Sequence, residues 1–188
     1  GAGKSTITKI LKFIFKIKYG LELCVFSIDD FYKTRADRLK MSKKHHHLFL
    51  TRGVPGTHDI GLINKIFTKL KKKNFKTVLI PKFDKSIDNR IKKSKWMKVK
   101  NQPNIIIFEG WCIGARSQKN NRLKKSLNIV ESKHDADLKW RKEVNYHLST
   151  SYRKLFDKID KLIYLKAPSF NYIFQWRLLQ EQKLKLTS

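Results

Sequence analysis

The chain opens on Gly1-Ala2-Gly3-Lys4-Ser5-Thr6, and that hexapeptide constrains the fold more than any other segment. It matches the second half of the phosphate-binding pattern G-x-x-x-x-G-K-[ST], in which a glycine-rich turn lets backbone N–H groups point inward at phosphate oxygens. The lysine adds a point charge, and the hydroxyl after it reaches Mg2+. Ile7, Ile10, Leu11, Ile14 and Phe15 follow at helical spacing. They predict a helix whose N-terminus, the positive end of its dipole, sits at the anion. Gly1, Ala2, Gly3, Lys4, Ser5 and Thr6 are thus the candidate phosphate-binding residues, with Ser5 as the natural metal ligand. The first glycine of the pattern and the strand that should precede it do not occur, so the chain reads as one missing its true N-terminus.

Strand-like and helix-like runs alternate behind this loop. Residues 21–28 read as a buried strand, residues 60–70 as a helix, and Thr77 to Ile80 as a strand stopped by Pro81. Ile105-Ile106-Ile107-Phe108 is a strand without a polar break, as in a parallel sheet covered on both faces. Trp140, Val144, Leu148, Tyr152 and Leu155 mark a long helix between about 135 and 158, Leu162-Ile163-Tyr164-Leu165 reads as another strand, and Pro168-Ser169 starts a last helix. Residues 84–103 read as a Lys-rich loop anchored by Trp96, and 115–134 as a polar surface excursion. The alternation predicts an α/β chain with a parallel sheet; joined to the phosphate-loop motif it resembles the P-loop NTPase type, three layers α/β/α around a mainly parallel sheet with its first strand missing. Ligands in such sheets bind beyond the carboxyl ends of the strands. Asp29-Asp30, Phe83-Asp84 and Glu109-Gly110 each follow a strand, so they should meet the phosphate loop in one cleft.

Composition narrows the class. A chain of 188 residues, 40% hydrophobic and 12% aromatic, builds a globular core. No apolar run approaches the roughly 20 residues of a membrane span, so no membrane partner is expected. Cys24 and Cys112 both lie inside apolar segments, which suits a reducing, cytoplasmic setting better than a disulfide scaffold. With 43 basic residues against 15 acidic ones the net charge is +28, the footprint of a nucleic-acid binder or of a Lys-rich protein with anionic substrates. The lysines fall in short runs at helix ends and loops, and the aromatics at core positions instead of interleaved as stacking platforms. The second reading is preferred, and the field would draw ATP and a carboxylate toward the cleft.

Phosphoryl transfer needs a phosphate cradle, a metal, a base or orienting group for the acceptor, and positive charge on the transferred group. Glu109, at the end of the most hydrophobic strand, fits a metal-holding role through a bound water. Asp29 is placed to take the proton of an acceptor hydroxyl, while Asp30 either serves the metal or caps the turn, and Tyr32 could wall the pocket. Arg52-Gly53-Val54-Pro55-Gly56-Thr57-His58-Asp59 crowds Arg, His and Asp into one loop before a helix. Arg52 suits a substrate carboxylate, and Thr57 or Asp59 is also a candidate N-cap. Asp84, Asp88 and Arg90 form a second polar cluster. Arg177 is either a lid arginine reaching the phosphates or a solvated helix residue. His45-His46-His47 reads as a polar loop, since neighbouring ligands on a flexible run rarely close a metal site.

Taken together, Gly1-Ala2-Gly3-Lys4-Ser5-Thr6, Ser27-Ile28-Asp29-Asp30-Phe31-Tyr32, the loop from Arg52 to Asp59, Pro81-Lys82-Phe83-Asp84-Lys85-Ser86, Phe108-Glu109-Gly110-Trp111 and Trp176-Arg177-Leu178-Leu179-Gln180-Glu181 resemble the D-glycerate 3-kinase group. That group belongs to the P-loop kinases related to uridine kinase, phosphoribulokinase and pantothenate kinase. The resemblance covers nearly the whole chain. It implies ATP- and Mg2+-dependent phosphorylation of a small hydroxy acid, with D-glycerate giving 3-phosphoglycerate. In the related uridine kinases the aspartate at the position of Asp29 is the base, and the Glu-Gly element at Glu109 helps hold Mg2+. Lys4, Asp29 and Arg177 are then the catalytic set, and Tyr32, Arg52, His58, Asp59, Asp84 and Arg90 the acceptor side. The family continues beyond Glu181 into the rest of its lid, so residues 1–188 are expected to be one kinase domain truncated at both ends and, as written, inactive. The rivals are the same chemistry on a nucleoside, pantothenate or sugar phosphate, and a basic protein binding nucleotide and nucleic acid.

Overall fold

The computed structural model describes residues 3–187, with the side chains of Ser5, Phe170, Gln180, Glu181 and residues 183–187 outside that description. In chain order the helices are α1 (Lys4–Tyr19), α2 (Arg35–Lys44), α3 (Ile60–Leu70), α4 (Asn120–Leu123), α5 (Ile129–His134), α6 (Lys139–His147), α7 (Arg153–Phe156) and α8 (Phe170–Thr187). The strands are β1 (Leu23–Ser27), β2 (Val78–Ile80), β3 (Phe83–Asp84), β4 (Asn89–Arg90), β5 (Met97–Val99) and β6 (Ile105–Glu109).

Helix α1 begins at Gly3, whose φ of 72° lies in the left-handed region that glycine enters without a steric cost. The N–H groups of Thr6 and Ile7 close the first turn on the Gly3 carbonyl, each at 3.0 Å. Gly20, at φ 64°, ends the helix with its N–H bonded back to Lys16. The helical period is the expected one, but the face turned inward is Thr8, Leu11 and Phe15, while Ile7, Ile10 and Ile14 stay exposed. Thr8, Leu11 and Phe15 follow one i, i+3, i+7 row, the line along which a helix meets a neighbour, here β1 and β6.

Strands β1 and β6 pair in parallel, in register from Leu23 opposite Ile105 to Ser27 opposite Glu109. That register is the main determinant of the site, because it sets Ser27 and Glu109 side by side at the carboxyl end. Cys24, Phe26, Ile28 and Phe31 form the core with Ile63, Ile66 and Leu70 of α3 and with Tyr152, Leu155 and Phe156. Burial of each large apolar side chain contributes about 1.5–3 kcal/mol against the conformational entropy lost on folding.

The α/β class holds, with corrections at single elements. Val78–Ile80 is a strand, but it pairs antiparallel with β5. The 84–103 segment is therefore not all loop: it carries β4 and β5, and Trp96 does anchor it by donating to the Ile91 carbonyl at 3.0 Å. The long helix begins at Lys139, and a π-helical turn, Leu148–Tyr152, joins α6 to α7. Leu162-Ile163-Tyr164-Leu165 forms no strand, and Ile163 and Tyr164 are 79% and 82% exposed. An extended run becomes a strand only when a neighbour accepts its hydrogen bonds, and among the described residues no strand pairs with it.

Candidate active site

The end of β1 turns sharply because the Ser27 side chain accepts the Asp29 N–H at 3.2 Å, starting a 3-10 turn over Ile28–Phe31. The turn lifts Asp29 and Asp30 clear of the strand. Asp30 accepts the Phe83 N–H at 3.4 Å and pairs with Lys82 at 3.6 Å, so it ties β3 to the end of β1. Burial pushes the Asp30 carboxyl up, against the pull of Lys82 and the Phe83 and Ser27 hydrogen bonds. Asp29 accepts a hydrogen bond from the Tyr32 hydroxyl at 3.2 Å on one oxygen and from the Lys85 ammonium at 2.8 Å on the other.

Glu109 stands beside Ser27. Burial pushes its carboxyl up; the Lys4 charge and the Ser27 hydroxyl pull it down, and the charges of Asp29 and Asp30 push it up again. The start of α1, the end of β1 and the end of β6 are therefore within electrostatic reach of one another. Glu109 with the neighbouring aspartates, next to a serine hydroxyl, forms the hard oxygen donor set that a divalent cation such as Mg2+ prefers. Gly110 follows in contact with Ile28; a Cβ there would overlap the Ile28 side chain. Trp111 donates its indole N–H to the Gly53 carbonyl at 3.2 Å, joining this corner to the loop of residues 52–59.

That loop is held to the β1 turn by main-chain pairing. Lys33 donates to the Thr57 carbonyl and Asp59 to the Phe31 carbonyl, both at 2.8 Å, with Tyr32 opposite His58. The Tyr32 ring stacks on His58 with centroids 4.4 Å apart. His58 is fully buried, and desolvation drives its imidazole down to about 4, with Asp29 opposing and Lys33 assisting the shift. Tyr152, at the end of the π-helical turn, accepts the Gly56 N–H at 2.9 Å and lies 2.7 Å from His58 Nδ1. Which of the two donates is set by the imidazole tautomer, and the buried Nε2 has no hydrogen-bond partner among the described residues. His58 thus braces Tyr32 and, through it, Asp29.

The other expected residues divide clearly. Asp59 is the N-cap of α3, accepting the Leu62 N–H at 3.0 Å, and its second oxygen pairs with Arg90 at 3.1 Å. Thr57 is not the cap; its hydroxyl donates to the Val54 carbonyl inside the loop. Arg90 also donates to the Tyr32 carbonyl at 2.9 Å, which makes it a latch between β4 and the site. Arg52 pairs with Asp88 and lies over the Phe83 ring. Asp84 points into its own turn, accepting the Ser86 N–H and hydroxyl, which hold its carboxyl below the usual range. Arg177 lies exposed on α8. Thr6 is exposed on the first turn of α1. Gly1, Ala2 and the Ser5 side chain lie outside the described residues.

Two cations went unread in the sequence. Arg38 on α2 is completely buried; it donates to the carbonyls of Lys33, Leu50 and Asp88 and pairs with the Asp88 carboxylate at 2.8 Å. Nothing in a polar helix marks that arginine as interior. Lys85 sits in the Phe83-Asp84-Lys85-Ser86 element already singled out, so its position carried a signal although its charge was not assigned. His46 lies near Asp135 and Asp137, but the Asp135 oxygens already accept from Trp140 and Arg141, the latter also as an ion pair at 2.8 Å. His45 caps the C-terminus of α2 and His47 begins a 3-10 turn. A cleft of ≈ 260 Å3 at the far end of β1, lined in part by Lys12, Glu22, Leu23 and Val99, contains none of the candidate residues.

No protein-family model matches the chain. It is 33% identical over 193 residues to the uncharacterized kinase mug58 of Schizosaccharomyces pombe, an alignment spanning 98% of this chain and 68% of that protein. It is 32% identical over 202 residues to the probable ATP-dependent kinase TDA10 of Saccharomyces cerevisiae, spanning 98% of this chain and 65% of that one. The solved structure of D-glycerate 3-kinase from Cryptococcus neoformans superposes with a TM-score of 0.81 at 27% identity, over 97% of this chain and 67% of that structure. The chain thus spans about two thirds of each of these relatives. At this identity and coverage the chain belongs to the kinase family that includes mug58, TDA10 and D-glycerate 3-kinase.

Proposed function

We propose that the protein uses ATP to phosphorylate a hydroxyl of a small hydroxy acid, with D-glycerate giving 3-phosphoglycerate. The observation that carries this reading is the setting of Asp29: its carboxylate accepts from Tyr32, which stacks on His58, and its charge, like that of Lys4, is felt at Glu109. Asp29 takes the proton of the acceptor hydroxyl. The acceptor oxygen bonds to the γ-phosphorus while the bond from that phosphorus to the bridging oxygen breaks, and ADP leaves with that oxygen. Positioning and fixed charge supply the rate.

The loop of Gly1, Ala2, Gly3, Lys4, Ser5 and Thr6 cradles the phosphates at the N-terminus of α1, and Lys4 balances their charge. Glu109 and the Ser5 hydroxyl would hold Mg2+, which supplies charge neutralisation at the β- and γ-phosphates when bound. Arg177 is assigned as a lid arginine. Tyr32, His58, Asp59 and Arg90 build the acceptor wall, with Arg52 and Asp84 at its edge. The free, buried thiols of Cys24 and Cys112 support a cytoplasmic setting.

The test is a panel of acceptors with coupled detection of ADP, run on the full-length protein that carries this chain. D-Glycerate is expected to be the preferred acceptor. Preference for uridine, pantothenate or a sugar phosphate defeats the substrate assignment. Absence of any acceptor phosphorylation, together with tight and steeply salt-dependent binding of RNA or DNA, replaces the kinase reading with the nucleic-acid one.

A further inference from the structure

The arginines that composition offers for an anionic acceptor are already engaged. Arg38 is wholly buried on main-chain carbonyls and Asp88. Arg52 is paired with that same Asp88, and Arg90, with a guanidinium only 14% exposed, is paired with Asp59. Moving any of them would strip hydrogen bonds from the walls of the site, where an unpaired polar group is costly.

Lys85 is paired too, but it is the more exposed and its partner is the proposed base. Its side chain is 60% exposed, and its ammonium lies 2.8 Å from Oδ2 of Asp29. The backbone that presents it is fixed. Asp84 closes the turn on Ser86, β3 pairs with β4, Asp30 holds the Phe83 N–H, and Arg90 ties β4 to Tyr32 and Asp59. A mobile charge is thus delivered by a rigid hairpin onto the carboxylate that has to receive a proton. While Lys85 occupies Oδ2, an alcohol must compete with it for that oxygen. An acceptor carrying its own carboxylate near the hydroxyl removes the conflict: the ammonium exchanges one carboxylate for another, and Asp29 is released to the hydroxyl.

We infer that Lys85 is the residue that recognises the anionic group of the acceptor, selecting a hydroxy acid over a neutral polyol by trading its ion pair with Asp29 for one with the substrate carboxylate. This rests on the proposed function in that it takes Asp29 as the base. The trade forms and breaks only ion pairs, so no covalent bond changes and no proton moves in it.

The test uses Lys85→Met and Lys85→Arg in the full-length protein, with D-glycerate and glycerol as matched acceptors and titration calorimetry of D-glycerate as a readout that needs no turnover. A hydrogen bond to a charged group is strong enough that its loss weakens binding on the order of tenfold to a hundredfold. Lys85→Met is expected to weaken D-glycerate binding by at least about tenfold and to lower the D-glycerate to glycerol ratio of kcat/KM by a similar factor, with Lys85→Arg recovering part of both. A purely structural lysine would lower both acceptors together and leave the ratio in place, and that result overturns the inference. So does D-glycerate binding that is undetectable in the unaltered protein or unchanged by Lys85→Met. Binding through Lys85 without phosphorylation defeats the proposed function and leaves this inference standing; phosphorylation of D-glycerate insensitive to Lys85→Met does the reverse.

Discussion

The proposed acceptor side and the proposed phosphate side of the site are built in opposite ways. On the acceptor side, Thr57, His58 and Arg38 are fully buried, and the walls are cross-tied by hydrogen bonds from Arg38, Arg90, Tyr152 and the paired backbones of residues 31–33 and 57–59. On the phosphate side, α1 meets the sheet along one narrow row and leaves Ile10, Phe13 and Ile17 more than half exposed. The first wall is over-determined, and the second rests on one helix face and the dipole at its start. In the proposed reading a small acceptor needs a pre-shaped pocket, whereas a polyphosphate is gripped by backbone N–H groups and charge.

The contrast can be broken at several points. Arg38→Met should be the most damaging change, costing about 3 kcal/mol or more in denaturant unfolding, because it leaves the carbonyls of Lys33, Leu50 and Asp88 without their donor and the Asp88 carboxylate with Arg52 alone. A loss under about 1 kcal/mol would mean that the acceptor wall is not cross-tied as described. Gly110→Ala comes next. Its new methyl group meets Ile28 across the β1–β6 corner, and the strain of a packed small-to-large change is about 1–3 kcal/mol. Since Glu109 must shift with it, KM for ATP should rise alongside the drop in melting temperature.

The buried imidazole sets a pH dependence. His58 titrates at about 4 in the fold, against 6.5 for an exposed histidine. The stability from keeping it neutral is present above pH 6.5 and is lost as pH falls through 4. Between pH 7 and pH 5 the difference in unfolding free energy between the wild type and His58→Asn should shrink by about 2 kcal/mol. A constant difference across that range would place His58 in contact with water or a charge partner. The smallest effect is expected on the phosphate side, where Phe13→Glu on the exposed face of α1 should change stability by no more than about 0.5 kcal/mol.

The same division explains what the sequence disclosed. Local chemistry was legible: the glycine turn before α1, the apolar run of β6, the helix over residues 60–70 and the crowded loop from Arg52 to Asp59 all show in short windows. The β1–β6 pairing brought Asp29 and Glu109 together because both follow strands that end at the same edge. Long-range assignments were not legible. Asp59 looked equally like a ligand and a cap, and only the position of Leu62 and Arg90 shows that it is the cap. Arg38 sits in a helix with no apolar face to reveal a buried side, and Lys85, although inside a singled-out element, had no role assigned to its charge in a chain of net charge +28. The 162–165 run has strand composition but no paired neighbour, and composition does not supply one.

The account stands most directly on the role of Asp29, and Asp29→Asn in the full-length protein tests it, since the amide preserves shape but takes no proton. The expected result is a fall in kcat of about 100- to 10,000-fold, with the melting temperature and nucleotide affinity close to wild type. Turnover within a factor of a few of wild type in a well-folded variant would contradict it, leaving the converging carboxylates as structure without the proposed chemistry.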